Sequence, residues 1–165
     1  DKHVPSVVPT NDDDPAIPTG SYGISKAVTE NLAEHLFRMH QVPIIGLRLS
    51  NVFYDIPGHE TGYDKLPAAW QKPETKKVNL WGYVDHRDVA QAVNKALQAD
   101  IKAVRNFTIA AADTCMQQTN QELIDLCFPG TALREGTGPH DTLIGIDRAK
   151  AELNYKPNHS WRDYI

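Results

Sequence analysis

The chain is predicted to fold as an α/β protein with a largely parallel sheet. Stretches with apolar residues at helical spacing alternate along it with short, nearly continuous apolar runs. Those runs are rich in strand formers, the pattern of strands covered on both faces. A length of 165 residues is enough for one core of ordinary size.

Taken in order, residues 1–20 hold Pro5, Pro9, Pro15, Pro18 and the acidic run Asp12-Asp13-Asp14, and read as an extended loop. Thr19 to Ser21 can supply a helix N-cap. Ile24, Ala27, Val28, Leu32, Leu36 and Phe37 then recur at helical spacing, predicting a helix from Tyr22 to about Met39. That helix has to stop near His40 and Gln41, ahead of Pro43. Ile44 to Leu49 reads as a buried strand, residues 51–64 as a loop, Lys65–Gln71 as a short helix and Val78–Trp81 as a short strand. Asp85 can cap a helix from His86 to about Gln98, with Val89, Ala90, Val93, Ala96 and Leu97 inward. Asn106 to Ala111 reads as another buried strand. Thr119-Asn120-Gln121-Glu122 has the form of a capping box, opening a helix through Cys127 that Pro129-Gly130 ends. Asp147 is expected to cap a last helix, Arg148 to Leu153.

Composition excludes several classes. Apolar residues make up 41% and charged residues 23%, as in a globular protein rather than a disordered one. The net charge of −4, with both signs interspersed, argues against nucleic acid as a partner. No apolar run is long enough to span a bilayer, and the polar, proline-rich start is unlike a signal peptide. Cys115 and Cys127 form neither a Cys-x-x-Cys pair nor a metal spacing and read as two buried, reduced thiols of a cytoplasmic protein. The histidines are scattered without a zinc pattern, so no metal site is expected. His59 and His86 read as surface residues, and Trp81 as core.

The chemistry-bearing feature is Tyr22-Gly-Ile-Ser-Lys26. Residues at i and i+4 share one helical face. An ammonium there favours the ionised form of a phenol, and a phenol so placed can act as general acid or base on an alcohol or ketone. Alone, a Tyr-x-x-x-Lys pair is a weak signal. Three further segments accompany it: Leu47-Arg48-Leu49-Ser50-Asn51-Val52-Phe53-Tyr54, Tyr83-Val84-Asp85-His86-Arg87-Asp88-Val89-Ala90, and Asp147 to Lys150 followed by Leu153-Asn154-Tyr155-Lys156-Pro157.

In this order the four segments resemble the C-terminal half of an extended short-chain dehydrogenase/reductase, the NAD-dependent epimerase/dehydratase family. The resemblance implies the C-terminal part of a Rossmann-type doubly wound parallel sheet with a small substrate-binding lobe. Residues 1–54 and 83–112 would belong to the dinucleotide domain, and residues 55–82 and 113–165 to the lobe. Tyr22 would be the acid/base. Lys26 would assist it and hydrogen-bond the nicotinamide ribose of NAD or NADP, with backbone near Leu49 and Ser50 facing the nicotinamide. Asn51 would line the substrate pocket, or simply turn the chain at the strand end. Asp85, Arg87 and Asp88 read as structural, through capping and ion pairing.

Two departures qualify the resemblance. The sequence has no glycine-rich phosphate turn. In the family that turn, and the Ser or Thr that helps the tyrosine, would precede Asp1, so the chain is expected to be a fragment that is inactive alone. Nucleotide-sugar members often carry an arginine just before Tyr-Val-Asp, where Asn79 stands here, without the charge and fork of a guanidinium. The leading expectation is therefore an NAD(P)-dependent oxidoreductase or epimerase acting on a hydroxyl-bearing small molecule, such as a sugar or sugar acid. A nucleotide-sugar epimerase or dehydratase and a non-catalytic NAD(P)-binding sensor or scaffold are the alternatives. Many members dimerise through the helix that carries the tyrosine, which implies a homodimer or other self-association.

Overall fold

The computed structural model describes residues 4–15, 17–56, 58 and 61–165. Its centre is a parallel pair of strands, β2 (Ile44–Leu49) and β5 (Val104–Ile109), in register from Ile44 opposite Val104 to Leu49 opposite Ile109. Side chains alternate across a strand, so the pair has two unlike faces. Ile45, Leu47, Phe107 and Ile109 pack with α3 (His86–Gln98) and α5 (Asp147–Leu153) through Ala92, Ile146, Ala149 and Leu153. Gly46, Arg48, Asn106 and Thr108 make up the other face, which meets α1 (Ser21–His40) and the loop around Asp12.

Two shorter parallel pairs extend the fold. β3 (Asn51–Phe53) pairs with β4 (Tyr83–Asp85), and β1 (Val7–Val8) pairs with β6 (Ala132–Leu133). Around them lies a second cluster that includes Val8, Phe53, Tyr63, Leu66, Trp81 and Trp161, with Leu123 and Ile124 of α4 (Asn120–Cys127) and the short α2 (Leu66–Trp70). Burying each such side chain contributes about 1.5–3 kcal/mol. Asp88 ties α3 to the C-terminal segment. Its buried carboxylate accepts from the backbone N–H groups of Asn158 and His159, each at 3.0 Å, and lies 2.9 Å from His159 Nδ1.

α1 is the outlier. None of its residues is buried, and Ile24, Val28 and Leu32 are more than half exposed. It ends where expected: Gln41 adopts a left-handed conformation (φ 56°) and its N–H closes onto the Phe37 carbonyl at 2.7 Å.

Several expectations need correction. Residues 1–20 include the strand β1, because Val8 is fully buried beside β6. The cap of α1 falls within the expected Thr19 to Ser21, at Gly20, but in extended conformation and without a side-chain bond. The segment read as a loop from residue 51 begins with β3; His59 lies outside the described residues. Val78–Trp81 is no strand. Lys77–Asn79 forms a single 3-10 turn, after which Leu80 and Trp81 take left-handed backbone (φ 51° and 55°), sinking the indole and letting its Nε1 donate to the Pro73 carbonyl at 2.8 Å. The second central strand runs from Val104 rather than Asn106, because its pairing with β2 begins there. In α3 the buried positions are Asp88 and Ala92, while Ala90, Val93 and Leu97 face out. Asp147 sits inside the first turn of α5 and makes no capping bond. His86 is not an isolated surface residue, since its Nδ1 lies 3.4 Å from Asp85. Of the two free thiols only Cys115 is buried; Cys127 is half-buried.

Candidate active site

The first turn of α1 brings Tyr22 and Lys26 onto one face, over the polar side of the β2–β5 pair. Tyr22 is 75% exposed, and Lys26 Nζ lies 5.1 Å from its ring centroid. Both line a cleft of about 670 Å³ with Ile17, Pro18, Leu49 and Arg48. The structure thus brings together Tyr22, Lys26 and Leu49.

Ser50 and Asn51 stand apart from that cleft wall. The Ser50 N–H is used by the Ile109 carbonyl at 3.0 Å, and its Oγ is buried without a hydrogen-bond partner. Gly82 packs against that hydroxyl and the end of Ile144 so closely that a Cβ there would collide. Asn51 is exposed on β3, opposite Tyr83.

The helix that carries the tyrosine is held to the sheet by an ion pair about two turns further along it. Arg48, on β2, donates from Nε and Nη2 to the two carboxylate oxygens of Glu30, at 2.8 and 2.7 Å, clamping α1 to the sheet. This bidentate hydrogen bond holds the Glu30 carboxyl below its ordinary range and raises the Arg48 guanidinium. Arg48 Nη1 also donates to the Asp12 carbonyl at 3.2 Å. The buried Asp12 carboxylate in turn accepts from the backbone N–H and the hydroxyl of Thr108 on β5, at 2.8 and 2.6 Å. Sequence reading missed Glu30 and Asp12 as positioning residues. The signal was Arg48 itself, a guanidinium inside an apolar strand, which demands a partner.

A second recess, of about 450 Å³, adjoins the cleft, with Ile17 and Pro18 in both walls. Thr10, Thr19, Val78, Leu80, Phe128 and Lys77 also line it. The Asn79 amide is spent on the Gly82 carbonyl at 2.9 Å.

Asp85 closes the far end of β4. Burial would raise its carboxyl, but bonds from the Arg87 guanidinium and backbone and from the Tyr63 hydroxyl hold it at about 2. The same contact and desolvation push the Tyr63 phenol far up. Asp85, Arg87 and Asp88 are all engaged in capping or ion pairing. Among the described residues no group of His, Cys, Asp and Glu is placed to hold a metal, and no helix is long and apolar enough to cross a membrane.

The model of the NAD dependent epimerase/dehydratase family matches residues 2–110, well over half of the chain. The chain belongs to that family. Solved structures agree on the fold. The UDP-glucuronic acid 4-epimerase of Bacillus cereus in complex with NAD aligns with a TM-score of 0.60 at 17% identity, over 93% of this chain and 51% of that one. A UDP-N-acetylglucosamine 4-epimerase from the same organism gives 0.60 at 18%, over 94% and 55%. RMD from Pseudomonas aeruginosa, complexed with NADPH, gives 0.59 at 17%, over 93% and 56%. This family member therefore spans about half the length of the structures it resembles. No curated protein matches it.

Proposed function

We propose that the whole protein is an NAD(P)-dependent oxidoreductase or epimerase acting on a hydroxyl-bearing small molecule, with Tyr22 as the acid/base. The observation that carries this reading is the open face shared by Tyr22 and Lys26 at the mouth of a cleft, in a chain of this family. When bound, the nicotinamide supplies a hydride acceptor and donor. As the substrate's C–H electrons leave, Tyr22 Oη takes the hydroxyl proton and a carbonyl remains; the reverse step returns the proton. To take that proton Tyr22 has to start as the phenolate, which Lys26 would stabilise; Lys26 would also offer an ammonium N–H to the cofactor ribose. The residues present fit the nicotinamide end of the cofactor: Tyr22 and Lys26 are exposed on the cleft wall and Leu49 lies beside them. Ser50 and Asn51 lie outside that wall, with the Ser50 N–H already spent on Ile109, so of Ser50 only the backbone carbonyl would be left for the nicotinamide, and Asn51 would serve the substrate side. The phosphates need a glycine-rich turn that this sequence does not contain. This 165-residue chain by itself is therefore expected to bind NAD weakly and to be inactive; micromolar affinity by calorimetry would contradict that.

A nucleotide-sugar substrate is the second reading, favoured by neighbours in complex with NAD and UDP-glucose or UDP-glucuronic acid. Against it, the described residues lining the recess include no guanidinium, and Asn79, which stands where an arginine would grip a diphosphate, commits its amide to the Gly82 carbonyl. A third reading, a non-catalytic sensor, leaves the Tyr22–Lys26 pair without a role. Residues 1–54 and 83–112 would serve the dinucleotide domain and the rest the lobe, in a cytoplasmic, self-associating protein. The test is hydride transfer by the whole protein across free sugars, sugar acids and nucleotide sugars. Turnover of the first two groups is expected. Turnover of nucleotide sugars alone favours the second reading, and none with tight NAD(P) binding favours the third.

A further inference from the structure

The recess beside the cleft carries an inference that rests on the oxidoreductase reading and names its substrate class. We propose that this recess selects a compact substrate bearing one carboxylate, and that Lys77 receives that carboxylate while a hydroxyl of the same molecule reaches Tyr22. Continuity comes first: Ile17 and Pro18 form part of both walls, so a molecule seated in the recess abuts the cleft that holds Tyr22 and Lys26. Its volume, about 450 Å³, is that of a small-ligand site.

The lining decides the charge. Val78, Leu80 and Phe128 make it largely apolar, Thr10 and Thr19 add hydroxyls, and Lys77 is its one charged residue among those described. Lys77 is half-buried, with Nζ 5.9 Å from the Phe128 ring centroid, and it has no ion-pair partner among the described residues. An ammonium beside apolar walls attracts an incoming anion more strongly than one in open water. One cation matches one negative charge. A diphosphate would leave charge unpaired against apolar side chains, which is costly.

Lys77 is also held in place. It opens the 3-10 turn that the Leu80 N–H closes onto the Lys77 carbonyl at 3.0 Å. Beyond it, Leu80 and Trp81 keep left-handed backbone, a conformation that persists in non-glycine residues only where the surroundings impose it. The buried Trp81 indole bonded to Pro73 and the Asn79 amide bonded to Gly82 impose it here. Such strain gathers at ligand sites, and in this chain it forms the wall that presents Lys77.

The experiment uses the whole protein with its nicotinamide cofactor. Hydride transfer is measured on matched compounds: a uronic acid, its neutral parent sugar and the corresponding sugar phosphate. Wild type should prefer the uronic acid by at least about tenfold in kcat/KM. Lys77→Met should raise KM for that acid by about tenfold or more, with kcat and the neutral sugar little changed, and Lys77→Arg should restore most of the preference. Equal loss on acid and neutral sugar, or a wild-type preference for the neutral sugar or the phosphate, would overturn the assignment. Calorimetry of the uronic acid on the Tyr22→Phe background, with and without Lys77→Met, separates the two ideas. A binding difference upholds Lys77 even where hydride transfer is absent and the Tyr22 reading has failed; equal affinity overturns Lys77 whatever the turnover.

Discussion

Arg48 shows how a single residue can serve the candidate site by fixing the helix that carries it. Its fork grips both oxygens of Glu30 and so sets where α1, with Tyr22 and Lys26, meets the sheet. Arg48→Met is expected to cost about 1.5–3 kcal/mol, the range for hydrogen bonds to charged groups. It should also lower kcat more than it raises KM, because the tyrosine loses its fixed position; an unchanged kcat in a folded variant would refute the positioning role. Asp85 makes a pH prediction. Its folded value of about 2 lies below the ordinary 3.8, so the unfolded chain binds the proton more readily. The stabilisation is fully present above about pH 4 and is lost as pH falls towards 2. Melting temperature should fall through that window, and Asp85→Asn should flatten that part of the curve while lowering stability at neutral pH.

At the scale of elements, α4 is the part most legible in sequence. Thr119 accepts from the Glu122 backbone while the Glu122 carboxylate accepts from the Thr119 N–H at 2.8 Å, as the Thr-x-x-Glu spacing implies. Thr119→Ala should cost about 1 kcal/mol, read as a denaturation midpoint shift; no shift would mean that tertiary packing alone holds α4. The long helix α1 and the strand β2 were legible for the same reason, since their signals are local. β3 and β4 were not, because three-residue strands exist only through each other. Val78, Leu80 and Trp81 look like strand residues, yet the buried indole and its bond to Pro73 turn the backbone instead. Within the site, Tyr22 and Lys26 were readable as a spaced pair. The inward aim of the Ser50 hydroxyl was not, because it follows from how closely Gly82 and Ile144 pack. The recess was hidden too, since residues from three distant stretches build it.

Across the whole molecule, apolar surface is left exposed on the helices of both faces of the sheet. Ile24, Val28 and Leu32 on α1 are exposed, Val93 and Leu97 on α3 are exposed, and among the described residues β2 is paired along one edge only. Exposed apolar area of this kind drives association, so the 165-residue chain should exceed its monomer mass of 18.4 kDa in light scattering at high concentration; a strictly monomeric mass would argue against it. The chain's place in the family and its open Tyr22–Lys26 face together make proton transfer at Tyr22 the central claim. The most direct measurement is the rate of hydride transfer by the whole protein with Tyr22 replaced by Phe. Loss of about 10²–10⁴-fold in kcat with cofactor binding retained is the predicted result, and turnover unchanged from wild type would contradict the account.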